Sequence, residues 1–126
     1  MNLELFTLCE GAFNSNGRVT IVNTYDILKS PNVPCSMTLG FAIKISFNKE
    51  EKGEHKISLP IVIEQSNREV GKLDSAFNLP EAEEVGYLNM VANVQNMSFP
   101  EFGWYRIEVK IDGMKLGEYR IKLKSE

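Results

Sequence analysis

The chain is poor in the residues on which most enzyme chemistry depends. Its 126 residues include one histidine, two cysteines and one tryptophan. A serine or cysteine nucleophile needs a histidine placed beside it. His55 stands at the rim of a charged turn, which predicts a solvated surface side chain, so no catalytic residue is assigned. Cys9 closes an apolar strand and reads as a small buried hydrophobe. One histidine and two cysteines at unrelated spacing make no zinc site. Asp26, Asp74, Glu81, Glu83, Glu84 and Asp112 are the acids that loops at one end of a sandwich would bring to calcium. No Asp-x-Asp pattern organises them, and neither a metal nor a cofactor is expected.

Other absences narrow the class. The net charge of −3 gives no reason to expect nucleic acid. Arg106, Lys110, Lys115, Arg120, Lys122 and Lys124 gather near the end of the chain, but Glu108, Asp112 and Glu118 are interleaved, which predicts a salt-paired face. No apolar run approaches bilayer length, so no membrane association is expected. Residues 1–10 lack a basic region and Glu4 interrupts their apolar run, so the chain reads as cytoplasmic. In that compartment Cys9 and Cys35 are expected to stay reduced, and Asn96-Met97-Ser98 has no meaning as a glycosylation site.

What the chain has is alternation. Met37, Leu39, Phe41, Ile43, Ile45 and Phe47 alternate with Thr38, Gly40, Ala42, Lys44 and Ser46. Successive side chains of a strand point to opposite faces, so this segment has one apolar face. The same period marks strands near residues 2–9, 18–25, 55–64, 85–97, 104–110 and 118–123. Asn16-Gly17 marks a hairpin, and Ser30-Pro31-Asn32-Val33-Pro34 a stiff crossover between sheets. Pro60 suggests that its strand lies at an edge or carries a bulge. Residues 65–84 give the weakest signal: Phe77 and Leu79 suit a short strand, and residues 81–84 an acidic loop. In the last hairpin the inward residues are odd-numbered on both arms, which parity satisfies with a three-residue loop, Ile111-Asp112-Gly113, placing Arg106 opposite Glu118. Residues 1–126 therefore read as one all-β domain, a two-sheet antiparallel sandwich of seven or eight strands, immunoglobulin-like or C2-like.

Leu8-Cys9-Glu10, Ala12, Gly17-Arg18-Val19 and Tyr25-Asp26, followed by the proline-bearing crossover, resemble the opening of a family of small uncharacterised bacterial proteins. Pro100, Gly103, Tyr105, Ile107, Val109 and Asp112-Gly113 are similar to its close. The resemblance implies a β-sandwich of bacterial origin and no particular activity or site. From the residues themselves, the surface of most interest is polar and aromatic. Tyr87, Asn89 and Asn93 share one strand face and Trp104 points outward from the next pattern, the side chains with which a sheet holds a carbohydrate, peptide or protein. The expected function is a non-enzymatic binding or protein-interaction module with a protein partner, self-association remaining open. The alternatives are a structural subunit of a larger bacterial or phage-derived assembly, or a metal-dependent enzyme.

Overall fold

A computed structural model describes residues 1–126. The chain forms nine strands: β1 (Asn2–Ser15), β2 (Arg18–Thr24), β3 (Leu28–Ser30), β4 (Cys35–Asn48), β5 (Gly53–Ile63), β6 (Arg68–Leu79), β7 (Val85–Phe99), β8 (Gly103–Ile111) and β9 (Met114–Ser125). A 3₁₀ turn, Lys49–Glu51, links β4 to β5. One sheet has the order β2-β1-β4-β7 and the other β3-β9-β8-β5-β6. The proline-bearing segment after Ser30 carries the chain from the second sheet to the first, as its stiffness suggested. No helix is long and apolar enough to cross a membrane.

The core is the product of the alternation. Leu39, Phe41 and Ile45 of β4 meet Tyr105, Ile107 and Val109 of β8 and Ile121 and Leu123 of β9, all essentially without exposure. Tyr105 fills its place with a polar tip: its hydroxyl donates to the Glu101 carbonyl at 2.6 Å and accepts the Glu101 amide at 3.2 Å. The loop before β8 is thereby tied down by the strand that follows it, in the manner of a tyrosine corner.

The two-sheet sandwich stands, with nine strands where seven or eight were expected, and several local expectations need correction. Residues 65–84 hold a full strand, β6, whose sequence signal is weak because an edge strand with a single buried residue, Leu79, shows little apolar alternation. Pro60 is not on an edge strand, but the bulge offered as the alternative lies beside it, where the β5–β6 register shifts between Ile61 and Val62. β5 lies between β8 and β6, and its ladder to β8 is interrupted between Ser58↔Lys110 and Ile61↔Ile107, where the missing amide is least harmful. β3 runs parallel to β9, so the second sheet is not wholly antiparallel. In the last hairpin Ile111 pairs with Met114 across a two-residue turn. Asp112 (φ 51°) and Gly113 (φ 84°) both have positive φ, as a type I′ turn requires. The odd residue demanded by parity sits instead where the register shifts, between Val109↔Gly117 and Lys110↔Lys115. Arg106 consequently faces Arg120, and Glu118 faces Glu108.

Beyond Cys9 the first strand parts from β4, and the β1–β2 hairpin folds over the outer face of its own sheet. Gly40 permits this: a Cβ there would lie 3.0 Å from Cys9 Sγ and 3.0 Å from Gly11 Cα. Cys9, Ala12 and Ala42 form a small second core beneath the hairpin, with Val19, Ile21 and Val91 packed around it.

Candidate functional site

The four residues singled out from the sequence do not form one surface. Tyr87, Asn89 and Asn93 lie on β7, at the edge of the first sheet, while Trp104 lies on β8 in the second. Asn93 is turned onto the hairpin. Its Nδ2 donates to the Ala12 carbonyl at 2.9 Å and its Oδ1 accepts the Ala12 amide at 3.0 Å, so one side-chain amide copies a strand's pair of bonds. Asn89 Nδ2 donates to the Gly17 carbonyl at 2.7 Å. The polar face of β7 thus holds the hairpin in place. Asn89 is half-buried, whereas Tyr87 and Asn93 are exposed, Tyr87 without a side-chain partner of this kind. Trp104 is exposed too, but lies under the Arg120 guanidinium at 4.5 Å, and Arg120 is gripped by both oxygens of Glu64 at 2.6 and 2.8 Å.

The opening that the fold does create lies between β6 and β7. These are the edge strands of the two sheets, and they flank an apolar cleft of about 340 Å³. Core residues Ile43, Ile57 and Leu59 line its floor; Leu73 and Phe77 of β6 and Met90 of β7 line its sides. β7 runs fifteen residues, Val-Gly-Tyr-Leu-Asn-Met-Val-Ala-Asn-Val-Gln-Asn-Met-Ser-Phe, without a charge or a proline. Edge strands are ordinarily guarded by such residues. β6 has them (Arg68, Glu69, Lys72, Asp74), β3 is only three residues long, and β2 opens on Arg18. The sequence pattern alone marks β7 as uncharged, but that it lies at an edge depends on long-range pairing.

His55 is not the solvated side chain expected. It is mostly covered, stacks on Phe77 at 5.6 Å between centroids, and has both ring nitrogens engaged. Nδ1 lies 2.6 Å from Asp112 Oδ2 and Nε2 lies 2.6 Å from the Glu51 carbonyl. The Asp112 hydrogen bond raises its pKa, with help from the Glu51 carbonyl, against the effect of burial. Asp112 in turn is held below the usual carboxylate range, first by His55 and then by the Lys56 amide. The acids considered for calcium do not converge: no three of the chain's histidine, cysteine, aspartate and glutamate side chains gather as metal ligands would. Cys9 is buried and its thiol pKa is raised by that burial; Cys9 and Cys35 are both free thiols.

The expected salt-paired face exists and has a centre. Glu108, nearly buried, takes Arg106 Nε at 2.6 Å, with Lys110 and Lys115 each at 3.8 Å. Burial pushes the Glu108 carboxyl up, but the three cations outweigh it and hold the group below its ordinary pKa.

Comparison with known proteins places the chain in a family. The profile described as "Family of unknown function (DUF6941)" matches residues 4–124, and the chain belongs to that family. No curated protein matches it. Among solved structures, Pseudomonas fluorescens alkylpurine DNA glycosylase AlkC, bound to DNA containing an abasic site analogue, is similar with 9% identity and a TM-score of 0.49. That likeness covers 94% of this chain but only 30% of the glycosylase chain. An immunoglobulin-like protein from Pseudomonas aeruginosa is similar over 98% of this chain and 95% of its own, with 12% identity and a TM-score of 0.44.

Proposed function

We propose that this member of a family of unknown function is a non-enzymatic interaction module that takes up an extended polypeptide segment along the open edge of β7. The observation that carries the reading is the uncharged fifteen-residue edge strand beside an apolar cleft that reaches the core. A segment added to β7 would find backbone hydrogen-bonding groups along one side and would set alternate side chains into the cleft. Two features of the reactive side chains support a role without catalysis. Both nitrogens of the single histidine are occupied by acceptors, which leaves no free base, and the Cys9 thiol is buried with a raised pKa. The net charge of −3 favours a protein partner over nucleic acid, and the two free thiols suit a reducing cytoplasmic compartment.

Titration of isotope-labelled protein with a library of uncharged, strand-forming peptides tests the reading. Binding is expected to move amide resonances of β7 and of the cleft residues Leu73 and Phe77. Shifts confined to the Trp104 face, or no binding by any extended peptide, would overturn it.

A further inference from the structure

We propose that the segment taken up along β7 is β7 of a second copy of this chain, the two strands meeting antiparallel about a two-fold axis. This rests on the reading that β7 is the docking edge and adds its occupant. A strand that pairs with itself sets residues of like charge near one another close to the axis, where opposed like charges are destabilising. Val85–Phe99 carries no charge of either sign, so within the strand it meets its own copy without that conflict. The rim is balanced as well. Asp74, the one charged side chain that lines the cleft, has Lys72 Nζ 3.6 Å from its carboxylate, so the charge at the cleft wall is paired.

The same neutrality gives an acidic or basic partner strand nothing to recognise. A copy of this chain, by contrast, offers an uncharged strand of matching length and a second apolar cleft. Val85 and Tyr87, 59% and 62% exposed, are the large apolar side chains that β7 leaves in solvent, and a strand laid alongside would shelter them. The outer face of β7 is already occupied by the β1–β2 hairpin through Asn89 and Asn93. Apart from Val85 and Tyr87 at its start, what stays open is the strand's edge and the cleft beneath it, which is the geometry of strand-to-strand association rather than of face-to-face stacking.

The test is the mass of the intact chain in solution, by sedimentation equilibrium from about 1 to about 100 μM, the range in which a weak to moderate dimer changes population. The mass is expected to rise toward twice the 14.3 kDa of one chain. Ala92→Lys and Gln95→Lys alter exposed β7 positions and are expected to stay at the single-chain mass with an unchanged far-ultraviolet spectrum. Tyr87→Lys, further along the same strand, serves should either of these fail to fold. A wild-type chain that stays at single-chain mass throughout overturns the second copy as occupant. If uncharged peptides still shift β7 resonances in that case, the docking edge stands and only its occupant is wrong. A dimer that survives all the lysine variants places the interface elsewhere and overturns the assignment to β7.

Discussion

His55 has both ring nitrogens 2.6 Å from atoms that can only accept, a carboxylate oxygen and a backbone carbonyl. A neutral imidazole carries one N–H and satisfies one of them; only the imidazolium satisfies both. The charged groups around it are Asp112, Glu51 and Lys56, with the Met1 amino group 3.0 Å from Glu51. The pKa is raised, so the ring's contribution to stability is complete below its unfolded value of about 6.5 and is lost as pH rises through the folded value. Asp112 acts in the opposite sense: its pKa is lowered, and its contribution is lost as pH falls through that lower value. We predict that a nuclear magnetic resonance titration places His55 above the ordinary histidine value, and that Asp112→Asn brings it back down. A titration at or below the ordinary value would mean the ring is neutral and one of the two bonds absent. Asn93 supplies a second case at this scale. Removing its amide leaves the Ala12 N–H and C=O without their partner beneath the hairpin, and we predict that Asn93→Ala costs about 1–3 kcal/mol in denaturant unfolding. A loss near zero would show that water replaces the amide freely. That Asn93 points outward was legible from its place in the alternation. That a hairpin eighty residues away folds back to meet it was not, because the glycine contact that permits it, Gly40 against Gly11, leaves no local signature.

Among the elements, the β8–β9 hairpin shows where sequence reasoning stops. The inward set Tyr105, Ile107, Val109 and Tyr119, Ile121, Leu123 was legible because burial imposes period two; five of the six are buried, and Tyr119 is half-buried against the core. Parity also showed that an odd residue must exist. It could not say whether that residue sits in the loop or in a bulge, since both satisfy the count. The Asp112-Gly113 turn settles it: both residues adopt positive φ, and the shift falls at Leu116. The energetics move with the register. Glu118 bonds the exposed Lys115 and is an ordinary surface pair, whereas Glu108 is nearly buried among Arg106, Lys110 and Lys115. Removing the buried carboxylate leaves three cations facing one another. Glu108→Ala is therefore predicted to cost about 1–3 kcal/mol, and Glu118→Ala about 0.2–1 kcal/mol. Equal losses in the two variants would mean that Glu108 is as well solvated as Glu118. The weak signal of β6 has a similar origin. Only Leu79 of its twelve residues is buried, and an element that does not bury a face does not display one.

At the scale of the whole molecule the sheet orders decide which backbone is exposed to solvent. β4 is paired on both sides by β1 and β7, and β8 by β9 and β5, while β7 is paired by β4 alone. Neither order is local: β4 joins β1, at the start of the chain, to β7, three strands further on, and nothing in a strand's own pattern names its neighbour. This is why the sandwich was legible while the open seam between β6 and β7 was not. Amides paired within a central strand exchange with solvent mainly when the fold opens, whereas an edge strand leaves alternate amides free. In dilute protein, β4 and β8 are expected to exchange slowest, and the amides of β7 not paired to β4 are expected to exchange fast. Raising the protein concentration then separates two states of the same edge. If a second copy covers β7, its outward amides slow with concentration while those of β2, an edge bearing Arg18, do not. Mass-resolved hydrogen exchange at two concentrations reads both strands at once. Outward β7 amides as protected in dilute solution as those of β4 would show that the seam is closed within a single chain, and the cleft would then be a packing defect rather than a docking edge.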